Sequence, residues 1–180
     1  MVGFNLLNPS ARRDVLRLTQ AHNIGVQDMF AVRRALSDPE GLKEALDAIE
    51  KAGQLDRGKL AAADPLGFLK EGTEGIVDAA YRFCRHEPGI DIVLTGTGSV
   101  AHLKENVASI LRGPLPPATL ARLEELFGRV DSVSEIKKGC HGPRMRATQL
   151  KSRSVSRIWL RSSSVRLVLG VTWVARIRGP

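Results

Sequence analysis

The segment Gly96-Thr97-Gly98-Ser99 combines residue types and a spacing that are suited to binding an anion. An apolar run rich in β-branched residues, 90–95, precedes it and predicts a buried strand. Ser99 is placed to cap a helix that follows. A strand, a glycine turn and a helix point free backbone N–H groups and the positive helix end at an anion such as a phosphate. An ordinary strand-to-helix connection in an α/β protein gives the same pattern, so both interpretations stay open.

The elements that must position this turn alternate along the chain. Strands are expected at 2–7, 23–32 and 90–95, and helices at 11–22, 37–53, 74–85 and 99–112. A last helix is expected after 115–117, with Leu120, Leu123, Leu126 and Phe127 along one side. Ser37 with Glu40 has the spacing of a capping box, and Thr73 is the expected cap of the next helix. Strands separated by helices require crossover connections, which build a parallel sheet. Three such strands are too few for a complete eight-stranded barrel of about 250 residues. The predicted fold class is therefore α/β, the C-terminal half of a TIM-type (β/α)8 barrel that is incomplete.

The charge of +8 on the 180-residue chain is unevenly distributed and indicates two regions. Residues 1–134 carry sixteen basic and eighteen acidic side chains, whereas residues 135–180 carry eleven basic side chains and Glu135. We predict a near-neutral domain over 1–134 and a basic, Arg- and Ser-rich tail over 135–180 that is disordered. Attraction to acidic partners would therefore concern the tail alone.

Two further features limit the class of protein. Cys84 and Cys140 have no C-x-x-C spacing, so neither a disulfide framework nor a metal site is expected, and Cys84 should be a buried thiol. The longest uncharged apolar run, residues 167–175, is much shorter than the roughly 20 residues that span a bilayer. With no secretion signal expected at the N-terminus, the predicted location is cytoplasmic and no transmembrane segment is expected.

Several motifs together resemble the C-terminal half of the aldo-keto reductase family over about residues 1–130. They are residues 5–8 (Asn-Leu-Leu-Asn), 24–26 (Ile-Gly-Val), 95–99 (Thr-Gly-Thr-Gly-Ser) and 103–106 (Leu-x-Glu-Asn). The resemblance implies a (β/α)8 barrel and an oxidoreductase that reduces carbonyls with NADPH and without a metal.

The resemblance also implies cofactor-binding roles for individual positions. Gly96, Thr97, Gly98 and Ser99 would face the adenosine phosphate. Glu105 and Asn106 match a Glu-Asn pair that contacts the adenine, although both also fit a solvated helix face. In that case they would have no role in binding.

Three further positions correspond to cofactor-binding positions of the family but carry different residue types. His102 falls where the family often has Arg or Gln near the 2′-phosphate, and it could instead support the Ser99 cap. A neutral imidazole neutralises less charge than a guanidinium, which puts a preference for NADPH over NADH in question. Phe30 and Ala31 match the stretch that lies along the pyrophosphate, but the usual Tyr-Ser-Pro-Leu pattern is replaced by Met-Phe-Ala-Val over 29–32.

No catalytic residue can be assigned from the sequence. The family's Asp, Tyr, Lys and His come from the first four barrel strands, which this chain does not match. Tyr81 is the one tyrosine, and it falls on the apolar face of a predicted helix, where core packing with a satisfied hydroxyl is expected. The hypothesis is a truncated aldo-keto reductase-like protein that is inactive alone and whose NADP(H) binding is weakened or lost. A full-length aldo-keto reductase subunit is a possible partner.

The basic tail supports an alternative hypothesis. Residues 135–180 could result from translation out of frame or through an intron, since nothing in them matches the family. They could also form a basic arm that binds nucleic acid or an anionic membrane, with affinity falling steeply as salt rises. On that reading the chain is a non-enzymatic binding or regulatory module.

Overall fold

The structure, a computed structural model, describes residues 1–131. The strands are β1 (Gln27–Asp28) and β2 (Ile92–Val93), and the helices are α1 (Arg17–Ala21, directly preceded by a π-helical turn, Arg12–Leu16), α2 (Arg34–Ser37), α3 (Pro39–Lys51), α4 (Ile76–Arg85), α5 (Val100–Leu111) and α6 (Pro117–Phe127). Two short 3₁₀ turns, Arg57–Lys59 and Gly67–Lys70, interrupt the connection between α3 and α4. The predicted tail, residues 135–180, lies outside the described residues. No helix in the described part of the chain has the length and apolarity needed to cross a bilayer.

A small parallel sheet holds the elements together. β1 pairs with β2 in a register that places Gln27 opposite Ile92 and Asp28 opposite Val93. In both strands the first residue is half-buried and the second is buried. Side chains alternate between the two faces of a strand, so one face of this sheet is packed and the other is partly open among residues 1–131.

The first segment of the chain joins the other edge of β1 through Val2 alone. Val2 N–H donates to the Gln27 carbonyl at 2.8 Å, and Met29 N–H donates to the Val2 carbonyl at 3.1 Å. Beyond that point Phe4 N–H donates to the carboxylate of Asp28 at 3.0 Å instead of to a strand carbonyl. The predicted strand over 2–7 is therefore reduced to one parallel bridge because a side chain replaces the backbone partner.

The buried face of the sheet packs against α4. The rings of Phe4 and Phe83 stack with centroids 5.2 Å apart, and the guanidinium of Arg12 lies over both rings. Arg12 also forms a two-bonded ion pair with the buried Glu87, at 2.7 Å for each bond. This stack ties the start of the chain to the helix that precedes β2.

Helix α5 is fastened to α4 by a buried carboxylate. Asp78 is 4% exposed and accepts hydrogen bonds from Arg112 at 2.7 Å and Arg82 at 3.3 Å. Burial by itself pushes the pKa of Asp78 upward, but the bonds from Arg112, Ser109 and the Glu74 N–H outweigh it and lower the pKa. The end of α5 is therefore fixed by a paired charge.

The structure corrects two predicted helix starts. Asp38, and not Ser37, caps α3, and its carboxylate accepts from Gly41 N–H at 3.3 Å, while Ser37 ends α2. Helix α4 begins after Gly75, whose φ of 138° is open to glycine alone, so Thr73 is not its cap. Thr73 accepts instead from Gly75 N–H at 3.3 Å, which closes the preceding turn.

Other predictions are confirmed. Gly53, with a φ of 70°, follows the end of α3, and the Ser99 cap of α5 is present. Cys84 is buried and free, and burial raises the pKa of its thiol well above the ordinary value. The parallel sheet and the helices agree with the predicted α/β class. A sheet of two strands does not establish half of a barrel, so the half-barrel stays a prediction.

Asp28 gives the first testable prediction. It is fully buried, its Oδ2 has no hydrogen-bond partner, and burial raises its pKa. Because the folded state holds the proton more tightly, Asp28 makes the protein less stable as the pH rises from acidic to neutral. Asp28→Asn should therefore gain stability over the wild type across that range, by roughly 1.4 kcal/mol per unit of raised pKa. Urea unfolding at a series of pH values measures this.

Asp38→Asn is the control of opposite sign. The hydrogen bond from Arg34 and the backbone donors lower the pKa of Asp38. The Asp38 carboxylate stabilises the fold at neutral pH, and this stabilisation is lost as the pH falls. The free energy of unfolding of the variant should therefore fall relative to that of the wild type as the pH rises. A pH-independent difference between Asp28→Asn and the wild type would contradict the buried-carboxylate argument.

Candidate functional site

An open cleft of about 730 Å³ lies where the chain leaves β1 and β2. One wall comes from the segment after β1 together with α2, and the other from the turn after β2 together with α5. The lining residues are Met29, Val32, Arg33, Arg34, Leu36, Ser37, Val77, Tyr81, Leu94, Gly96, Thr97, His102, Glu105 and Asn106. The volume is within the range typical of small-molecule sites.

The structure brings five of the nine sequence-predicted positions into the wall of this cleft. They are Gly96, Thr97, His102, Glu105 and Asn106. The other four do not line it. They are Gly98, Ser99, Phe30 and Ala31.

The turn before α5 is stabilised by its own side chains. Thr97 Oγ1 accepts from Ser99 N–H at 3.1 Å, and Ser99 Oγ accepts from His102 N–H at 3.4 Å. The Ser99 hydroxyl therefore acts as the helix cap, and His102 contributes its backbone to that cap while its side chain is exposed. The suggestion that His102 supports the cap is consistent with this geometry.

Neither glycine of the turn is required by its backbone angle or by crowding. Gly96 and Gly98 do not have a positive φ, and a Cβ built on either would meet nothing within 4 Å among the described residues. Gly96 lines the cleft, so its lack of a side chain leaves free space there. A ligand could use that space to approach the backbone closely.

Asn106 is held by a chain of hydroxyl groups below the cleft. Its Nδ2 donates to Thr95 Oγ1 at 2.9 Å, and Thr95 Oγ1 is 2.8 Å from the hydroxyl of Tyr81. Tyr81 is 4% exposed and Asn106 is 9% exposed, and burial raises the pKa of the Tyr81 hydroxyl. The expected role of Tyr81, core packing with a satisfied hydroxyl, is confirmed. Asn106 is not a solvated surface residue.

Two arginines that sequence reasoning missed supply positive charge. Arg33 and Arg34 both line the cleft, and the Arg33 guanidinium lies 4.7 Å from the centre of the Phe30 ring. Arg34 donates to Asp38 at 3.0 Å from an exposed position. The signal in the sequence was two adjacent arginines just after a predicted strand, at the edge where ligands of parallel sheets bind.

Phe30 and Ala31 do not line the cleft themselves. Phe30 is 37% exposed, and it packs so close to Gly3 that a Cβ there would come within 2.8 Å of the ring. Ala31 is 1% exposed and belongs to the core. Phe30 therefore supports Arg33, and the Ala31 side chain cannot reach a ligand in the cleft.

The cleft lining carries charges of both signs. Arg33, Arg34 and Glu105 all line it, and Arg34 is paired with the carboxylate of Asp38. Within residues 1–131 no group of three or more His, Cys, Asp or Glu side chains is arranged to hold a metal ion. The arrangement can bind phosphate on the arginine side and a hydrogen-bonding group near Glu105 and Asn106.

Comparison with known proteins gives partial structural similarity only. No family model matches the sequence, and no curated protein matches it. The solved structures of aldo-keto reductase AKR11C1 from Bacillus halodurans, in holo and apo forms, are similar with a TM-score of 0.45 and 16% identity over 73% of this chain. This chain spans 43% and 44% of the length of those two chains.

The open space at Gly96 leads to the second prediction. Gly96→Ala should raise the free energy of unfolding by about 0.4–1 kcal/mol, because alanine restricts the unfolded chain and meets no obstacle in the fold. Urea unfolding measures this effect.

Gly113→Ala is the matched control, because a Cβ there also meets nothing within 4 Å and Gly113 does not line the cleft. It should gain similar stability. Destabilisation by Gly96→Ala alone would show that this glycine has a structural role.

Proposed function

We propose that this chain binds a nicotinamide adenine dinucleotide, NADP(H), in the cleft described above and forms the cofactor-binding part of an oxidoreductase fold. The observation that carries the proposal is the joining, in one cleft, of the Gly96-Thr97 turn, Asn106 and the two arginines after β1. These residues come from segments far apart in the sequence. They combine positive charge, free space at a glycine turn and hydrogen-bonding groups.

The residues of the cleft fit the chemical parts of such a cofactor. Arg33 and Arg34 offer guanidinium donors for phosphate oxygens, and the Gly96 backbone lies beside free space. Glu105 and Asn106 offer oxygen acceptors for the amino group of a base. When bound, the dinucleotide would supply a hydride, while this chain's residues would hold its phosphates and its base.

Tyr81 is poorly suited to donate a proton at this cleft. It is the chain's one tyrosine, its buried hydroxyl pairs with Thr95, and burial raises the pKa of that hydroxyl. A general acid works best with a pKa near the operating pH and with access to the substrate. We therefore propose cofactor binding without carbonyl reduction by this chain alone.

The charge of Arg34 provides the third prediction. Arg34→Ala should weaken NADPH binding about tenfold or more, because hydrogen bonds to charged groups contribute about 1.5–3 kcal/mol. Calorimetric titration of the full chain at low salt measures the affinity, which should fall as salt rises.

Arg122→Ala removes the same charge from an exposed ion pair with Glu125, away from the cleft. It should leave the affinity for NADPH within about twofold of the wild type. Equal losses in both variants would reduce the Arg34 effect to net charge, and no saturable binding by the wild type would refute the proposed function.

The fourth prediction concerns turnover. The purified chain mixed with NADPH and a broad aldehyde substrate should show no oxidation of NADPH above the rate without protein. Absorbance of the reduced nicotinamide measures this, with a complete aldo-keto reductase as the positive control. Turnover comparable to that control would contradict the proposal that this chain binds the cofactor without reducing a carbonyl.

A further inference from the structure

The opening segment of the chain lies outside the cleft, but it packs against a ring that contacts one of the cleft arginines. A Cβ placed on Gly3 would lie 2.8 Å from Cδ2 of the Phe30 ring, so the ring occupies the space that any other side chain would need. The Arg33 guanidinium lies over the same ring, 4.7 Å from its centre, and Arg33 lines the cleft. The three residues therefore connect the start of the chain to the wall of the cleft.

One carboxylate oxygen holds both the opening segment and the residue that carries the ring. Asp28 Oδ1 accepts a hydrogen bond from Phe4 N–H at 3.0 Å and another from Phe30 N–H at 3.1 Å. On the other side of Gly3, the carbonyl of Val2 accepts a backbone hydrogen bond at 3.1 Å from the residue that follows β1. The backbone at Gly3 is therefore held on both sides, at a fixed distance from the ring.

Position 3 requires glycine because of the ring and not because of its own backbone angle. Gly3 does not have a positive φ, so alanine can adopt the same backbone conformation. The added methyl group would overlap the Phe30 ring, and since the backbone is held on both sides, the ring would have to move. A displaced ring no longer offers its aromatic face to the Arg33 guanidinium.

We propose that Phe30 and Gly3 are positioning residues for Arg33: the ring holds the guanidinium at the cleft wall, where it meets a phosphate group of the ligand, and Gly3 leaves room for the ring. A planar guanidinium is attracted to an aromatic face, which restricts the orientation of a long and flexible side chain. Less side-chain entropy is then lost when the phosphate binds, so the affinity rises without a further contact to the ligand. This inference rests on the proposed function and adds to it residues that do not line the cleft.

Calorimetric titration of the full chain with NADPH tests the proposal. Arg33→Gln removes the charge and should weaken binding about tenfold or more, as expected for a lost hydrogen bond to a charged group. Phe30→Leu removes the ring and keeps Arg33, and Gly3→Ala displaces the ring. Each of these two variants should weaken binding about two- to fivefold, which is the effect of one cation–π contact at an exposed site.

Combined variants separate a positioning role from a general loss of structure. If Phe30 and Gly3 act through Arg33, neither Phe30→Leu nor Gly3→Ala should weaken binding further in a chain that already carries Arg33→Gln. A merely structural role would weaken binding in both backgrounds. Phe30→Tyr keeps an aromatic face and should bind NADPH within about twofold of the wild type.

Gly25→Ala is the matched control for Gly3→Ala. Gly25 does not have a positive φ, and a Cβ there would make an ordinary contact at 3.6 Å with the carboxylate of Asp91. Gly25 precedes β1 and does not line the cleft, so this variant should bind NADPH as the wild type does. Urea unfolding of every variant verifies that the titrations compare folded chains.

Unchanged affinity in Phe30→Leu would overturn the inference and leave the proposed function intact. Full additivity of Phe30→Leu or Gly3→Ala with Arg33→Gln would overturn it as well. Failure of the wild type to bind NADPH saturably would overturn the proposed function and, with it, this inference.

Discussion

The arrangement of the described residues depends on the carboxylate of Asp28. Its Oδ1 accepts from Phe4 N–H at 3.0 Å and from Phe30 N–H at 3.1 Å, so one oxygen holds both the opening segment and the turn after β1. The side chain is fully buried and interacts with the buried Cys84 of α4. A charged group is costly there unless it is paired, and Oδ2 is unpartnered among residues 1–131. Asp28 therefore fixes the two segments through Oδ1, while the burial of the unpartnered Oδ2 lowers the stability of the fold.

Which elements form could be predicted from the sequence more fully than where they begin. The helix pattern predicted that α3, α5 and α6 exist, although α3 begins later than expected, because apolar spacing is a local signal. The strands were predicted too long, since β propensity cannot show that Asp28 will take the place of a strand carbonyl. The cap at Ser37 failed because Asp38 stands one residue later and accepts from Gly41 N–H, which moves the start of the helix by one residue.

Some residues of the candidate site could likewise be predicted from the sequence, and others could be found only from the fold. The glycine turn was found from its spacing and the Glu-Asn pair from the family resemblance, but Arg33 and Arg34 became relevant only when folding placed them in the wall of the same cleft. Asn106 could not be distinguished from a solvated helix residue without Thr95 and Tyr81, which are distant in the sequence and adjacent in the fold. Hydrogen-bond partners of this kind arise from tertiary packing, which a local sequence pattern does not predict.

The two walls of the cleft come from stretches that are joined through a long connection containing α3 and the 3₁₀ turns. A molecule that touched both walls would act as a non-covalent cross-link between them. Since binding to the native state alone adds to its stability by mass action, occupancy would slow the local opening of that long connection and protect it from proteolysis. The lifetime of the chain in a cell would then depend on how much of that small molecule the cell contains.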